Sequence, residues 1–485
     1  MNPIVLRAEE PPDALSLKHL DVLGIMGYAL QNSVGRQTGR DNRGTKDMAR
    51  ERKRHHRFGP LLAPLAVMVL LAAACGGDDD DATTGATDGA TDDNSTDANE
   101  EPSAELSGEP VRIGSIYPIS SAAISFPDLE YMAEIAVRVV NDNGGIHGRP
   151  LEWTHCDDKS DPNVAATCAD QIINQDDVIA LVQSVGVQGN IIWPFITEHN
   201  VINWFNVPIW PEDGNSELSY PTGLGIFAHQ NVGTLVEDGE FERVRCMVSE
   251  SPLADTVCGF AQAALAERGI TDFEIIKYPP GTTSFQPFAT RVVTDEADAV
   301  VIVGTDAITA PVSQALADAG ADVTLLQPST TVGSHTLEVA DETGLELRVA
   351  GSWGVDDELF PARAEMLANI ERYADEVGAP DGFDTISDSA ISMYLGILTF
   401  AEAMNSAAEV SVEAFQADVA ASPIVTGMAP PIDWSTPGPI ETSPRVVTVY
   451  STAETVEDGQ LRSESTSFVS AFPGVVPPTV EVATE

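Results

Sequence analysis

From Val111 onward, short apolar runs alternate with segments whose apolar residues recur every three or four positions. Val111-Arg112-Ile113-Gly114-Ser115-Ile116-Tyr117 predicts a strand that stops at Pro118, with Ser120-Ser121-Ala122 as the loop behind it. A helix is expected from about Pro127, because Leu129, Met132, Ala133, Ala136 and Val140 share one face, and Gly144-Gly145 ends it. Leu151 to His155 is the next predicted strand, Asp161-Pro162 opens a helix running to about Asn174, and Val178 to Gln183 is a continuous apolar strand. An apolar run without alternation suits a sheet covered on both faces.

The alternation then restarts. Strands are expected at Val244–Val248, Phe273–Lys277, Ala299–Val303 and Val323–Gln327, and helices at Leu253–Arg268, Phe285–Val293 and Ala310–Ala319. Two successive arrays of this kind predict an α/β protein with two doubly wound parallel-sheet lobes. Asp388 to Met404 is apolar nearly all round, so it is expected to be a buried helix with Asp388 as its N-cap. A late strand is expected at Arg445–Tyr450, followed by a turn at Glu457-Asp458-Gly459.

Ahead of this body the pattern changes. A basic block, Arg50 to Arg57, precedes an apolar run from Leu61 to Ala74, too short for a comfortable membrane span but suited to an export signal. The run closes Leu71-Ala72-Ala73-Ala74-Cys75, which resembles the lipobox of bacterial lipoproteins, with Cys75 as the lipidated first residue of the mature chain. Ala72 stands where Leu is commonest. Met48 lies two residues before the basic block, so residues 1–47 read as an upstream extension and 48–74 as the signal; an unusually long leader is the alternative. Residues 75–109 are rich in Asp, Thr, Ala, Gly and Asn, which predicts a charge-extended disordered tether.

Charge narrows the function. The 485-residue chain carries 75 acidic and 25 basic residues, a formal net charge of -50, and eleven of the basic residues precede Cys75. A body so acidic repels phosphate backbones, which excludes a nucleic-acid partner. No phosphate loop, serine elbow or His-Cys pairing is visible, so no enzyme activity and no cofactor are expected.

The opening Val111-Arg112-Ile113-Gly114, Pro118-Ile119-Ser120, then Asn141-Asp142-Asn143-Gly144-Gly145-Ile146-His147-Gly148-Arg149-Pro150-Leu151 and Asp157-Asp158-Lys159-Ser160-Asp161-Pro162 resembles the leucine/isoleucine/valine-binding family of type I solute-binding proteins serving ABC importers. The resemblance spans roughly residues 110–470 and is strongest over the first 75 of them. It implies two lobes joined by a three-crossing hinge: residues 110–230 with 354–440, and 231–353 with 441–470, leaving 471–485 as a tail. It also implies a small-molecule solute, a permease partner, a lipid anchor in the membrane and a monomeric, extracytoplasmic protein. A sensor domain presenting its solute to a receptor is the competing reading.

In open parallel sheets a ligand lies beyond the carboxyl ends of the strands. First-lobe candidates are therefore Ser120 and Ser121, then Ser184, Val185 and Gln188, and Asn203, Trp204 and Phe205. Second-lobe candidates are Ser249 and Glu250, Asp306, and Ser329 and Thr330. Amino-acid binders of this family often carry an acidic partner after the strand here written Leu325-Leu326-Gln327, but this chain reads Pro328-Ser329-Thr330-Thr331, so Asp306 or Glu250 is expected to substitute. The aromatics Trp204, Phe205 and Trp210 suit either a bulky ligand or hinge packing. Cys156 and Cys168, and Cys246 and Cys258, each join a strand end to a following helix, so two local disulfides are expected in an exported protein. A zinc site at His155-Cys156 is the alternative, although the spacing matches no finger.

Overall fold

The computed structural model describes residues 106–121, 124–223, 225–251, 253–379, 387–457, 459–472 and 474–481. The expected extension, export signal, Cys75 and most of the tether lie outside them. Two sheets organise the body. The first contains β1 (Val111–Tyr117), β2 (Leu151–Asp157), β3 (Ala180–Val182), β4 (Ile202–Trp204) and β5 (Ser219–Tyr220), all parallel, in the order β2-β1-β3-β4-β5. The second contains β6 (Arg243–Ser249), β7 (Asp272–Tyr278), β8 (Ala299–Val303), β9 (Thr324–Pro328), β10 (Glu346–Gly351), β11 (Thr452–Glu457) and β12 (Gln460–Ser463), in the order β12-β11-β10-β9-β8-β6-β7. Its last two strands form an antiparallel hairpin on an otherwise parallel sheet.

Helices cover both faces of each sheet, as the unbroken apolar strands require. On the first sheet, α1 (Leu129–Asp142) lies on one face, and α2 (Pro162–Ala169) and α3 (Gly189–His199) lie on the other; α4 (Pro211–Asn215) leads into β5. On the second sheet, α5 (Ala254–Glu267) packs on the face opposite α6 (Gln286–Thr294), α7 (Asp306–Asp318) and α8 (Ser334–Thr343). After β10 the chain returns to the first lobe, where α9 (Pro361–Val377), α10 (Asp388–Ser406) and α11 (Val412–Ala421) join the core of α1. It then crosses again to reach β11. With the passage from β5 to β6 this makes three crossings.

The turn after α1 shows why its sequence reads as it does. Gly145 has φ +65°, and a Cβ there would run into the Arg149 carbonyl. His147 and Gly148 also have positive φ, and Ile146 and Arg149 exchange both backbone hydrogen bonds at 2.9 Å. Asn405 of α10 donates to the Gly145 carbonyl and accepts from the His147 N–H. The segment is a tight turn feeding β2 and anchoring α10.

Two expectations need correction. Arg445–Tyr450 is not a strand: Val446 and Val449 are buried against Phe227, so the segment is apolar because it packs within a crossing, without a neighbouring strand to pair with. The N-cap of α10 is Ser387, whose side chain accepts from the Ala390 N–H, and Asp388 is the first helical residue. Both disulfides are present, Cys156–Cys168 and Cys246–Cys258, with Cα separations of 5.5 and 6.0 Å. Each ties a strand to the next helix. Among the described residues no helix is long and apolar enough to cross a membrane.

Candidate ligand-binding cleft

The strands of both sheets end at one cavity of about 270 Å³. From the first sheet come Gln183 and Val185 after β3, Val207 after β4, and Thr222 and Gly223 after β5. From the second come Val303, Gly304 and Thr305 at the end of β8, Thr330 and Thr331 after β9, and Ser352 and Trp353 after β10. Asp388, Ser389 and Ser392 on the first turns of α10 close one side, and Phe126 and His229 are among the residues that add to the wall. Most of this lining is apolar, and among the described lining residues there is no Lys or Arg.

Three polar groups stand out because they are buried. Asp388 is 6% exposed and accepts from the Ser329 hydroxyl and the Ser352 N–H, both through Oδ2. Burial raises its carboxyl above the ordinary range, and those hydrogen bonds pull partly the other way. His229 is 6% exposed, and neither ring nitrogen makes a hydrogen bond of normal geometry. Burial pushes it down to about 4, against a small opposing pull from the nearby Ile302 backbone, so the imidazole is neutral near pH 7. Gln183 is 2% exposed, and its Oε1 has no partner.

Of the expected site residues, Val185 and Thr330 line this cavity. The others lie outside the cavity lining. Ser120 donates to the Asp157 carboxylate at the end of β2, while half-buried Ser121 beside it is absent from the cavity lining. Ser184 Oγ accepts from the Ile116 N–H at 3.0 Å, and Gln188 Nε2 donates to the Ser160 carbonyl at 3.1 Å. Asn203, Trp204 and Phe205 are buried, and the Trp204 indole donates to the Gly396 carbonyl at 3.0 Å. Trp210 donates to the Gly186 carbonyl. These three aromatics pack within the protein and are absent from the cavity lining. Glu250 is exposed away from the cavity. Asp306 is likewise outside the cavity lining: it accepts from the N–H groups of Gly333 and Thr336 at 3.1 and 2.9 Å and from the Thr336 hydroxyl at 2.6 Å, capping α8 from the neighbouring helix. Ser329 acts through Asp388.

Sequence reasoning missed Asp388, His229, Gln183 and Trp353. Gln183 directly follows an apolar strand and was within reach of the strand-end rule. Asp388 and His229 come from segments that pack across the hinge, and nothing in their local pattern marks them.

A chain of two doubly wound sheets, joined by three crossings and ending its strands at one shared cavity, has the architecture of a two-lobed binding protein. The chain belongs to the periplasmic binding protein family, whose profile matches residues 110–451. It is an extracytoplasmic solute-binding protein by that membership. Solved structures share the fold at low identity. The branched-chain amino acid transporter substrate-binding protein LivJ from Streptococcus pneumoniae, in complex with isoleucine, is 18% identical with a TM-score of 0.59, covering 75% of this chain and 100% of its own. A fatty acid ABC transporter substrate-binding protein from Thermomonospora curvata is 13% identical with a TM-score of 0.60, covering 76% of this chain and 93% of its own. A solute-binding protein of an ABC transporter from R. palustris, in complex with benzoate, is 13% identical with a TM-score of 0.60, covering 77% and 99%. No curated protein gives a significant sequence match.

Proposed function

We propose that the chain is the lipid-anchored solute receptor of an ABC importer, which takes an amino acid or a related small polar molecule into the interlobe cavity and passes it unchanged to a permease. The observation that carries this reading is the cavity itself, walled by the strand ends of both sheets and containing buried polar groups without partners. Such groups cost free energy until a ligand pairs with them. The volume sits just under the range of about 300–1,000 Å³ usual for small-molecule sites, which favours a small solute. The run from Leu71 to Cys75 supports the lipid anchor, and the solute-binding proteins of ABC transporters that share the fold support the importer role. Within this reading the two halves 110–230 with 354–440 and 231–353 with 441–470 move as lobes, and the protein acts as a monomer.

The test is thermal denaturation of the full chain against a panel of amino acids, amides, amines and small acids. A solute present at about 100 times its dissociation constant stabilises the fold by about 2.7 kcal/mol, a rise of several degrees. No shift with any small solute would contradict the proposal.

A further inference from the structure

The balance of donors and acceptors around the cavity says more about the solute than its shape does. Three of the hydroxyls that the strand-end rule offers to a carboxylate are already bonded within the protein. Ser120 is held by Asp157, Ser184 by the Ile116 N–H, and Ser329 by Asp388. Of the lining hydroxyls, Thr331 bonds Gln327 and the Pro328 carbonyl, and Ser392 bonds the Asp388 carbonyl while accepting from the Trp353 indole. Thr222, Thr305, Thr330, Ser352 and Ser389 add neutral hydroxyls, so the one formally charged group of the described lining is the Asp388 carboxylate, and the buried unpartnered groups beside it are acceptors. The hydrogen bonds from the Ser329 hydroxyl and the Ser352 N–H to Asp388 both fall on Oδ2, with neither on Oδ1; Gln183 Oε1 has no partner; and a neutral His229 always presents one acceptor nitrogen. Phe126 and Trp353 add aromatic rings beside them. No lining cation opposes this set among the described residues, and the acidic body draws cations toward the cleft.

We infer that the preferred solute is a primary ammonium ion on a compact apolar body, without a carboxylate, its N–H groups shared between Asp388, Gln183 and His229. This inference rests on the solute-binding reading above and narrows it. The apolar body lies against Val185, Val207, Val303 and Trp353. Pairing with a cation also draws the Asp388 carboxyl back to its charged form, since an opposite charge at close range favours ionisation.

Calorimetry with the full chain tests this, using three apolar bodies (3-methylbutyl, 2-phenylethyl and cyclohexyl), each as the primary amine, the α-amino acid and the carboxylic acid. The expected result is that at least one amine binds at least about tenfold tighter than its matched amino acid and acid. Asp388→Asn should weaken that amine by at least about tenfold, with a cooperative melting transition showing the fold retained. As a check independent of the variant, amine affinity of the unaltered chain should fall as the pH is lowered and the raised Asp388 carboxyl takes up its proton, while the probe itself stays charged. A carboxylic or amino acid that binds tighter than every amine overturns this inference and leaves the solute-binding reading intact. Silence from these probes and from the whole solute panel overturns both.

Discussion

Glu454 shows how a single buried carboxyl makes stability depend on pH. It lies on β11, 2% exposed, with neither carboxylate oxygen hydrogen-bonded, and it packs against Gly351, where a Cβ would collide with it. Burial pushes its carboxyl well above the ordinary range, the nearby Asp388 pushes the same way, and Arg363 offsets them in part. A folded-state pKa above the unfolded one means that the native chain holds its proton longer. Stability is therefore lost as pH rises from the unfolded value of about 4.3 toward the folded one. Glu454→Gln keeps the shape and removes the titration. It should be more stable than the parent by roughly 1–3 kcal/mol at about pH 8, with the gain shrinking toward zero near pH 4. Urea unfolding at both pH values checks this, and a gain that ignores pH would contradict the assignment. His229 acts with the opposite sign: its lowered pKa costs stability as pH falls through the range from 6.5 to about 4.

At the scale of elements, Asp306 is the instructive case. Its position after a strand made it a reasonable ligand for an ammonium, yet its carboxylate satisfies the first turn of α8. Asp306→Ala should cost about 1–2 kcal/mol in denaturant unfolding and leave solute affinity unchanged, as loss of a helix cap does. A drop in affinity without loss of stability would return Asp306 to the cleft. The same contrast explains what was legible in the sequence. The strands and helices of both lobes were readable because each buries its own apolar face, a property carried by local spacing: Leu129, Met132 and Ala136 announce α1 by themselves. The cavity-facing polar residues were not, because a strand-end hydroxyl looks alike whether it lines a cavity, as that of Thr330 does, or accepts from a backbone N–H, as that of Ser184 does. Only the arrangement of neighbouring strands decides between them. The segment Arg445–Tyr450 failed for a related reason: an apolar stretch in a hinge crossing has the composition of a strand but no partner edge.

For the whole molecule, the central claim is that recognition is divided between two sheets whose strand ends share one cavity. Thr222 stands on the first side and Thr330 on the second. Each is a lining hydroxyl whose loss removes a neutral hydrogen bond without opening a large void. Titration calorimetry should use the solute that most stabilises the unaltered chain, comparing that chain with Thr222→Ala and Thr330→Ala. Each substitution should weaken binding by about fivefold, equivalent to about 1 kcal/mol, with melting behaviour little changed. Unchanged affinity in both variants, with the solute still bound, would place recognition outside this cavity and contradict the account.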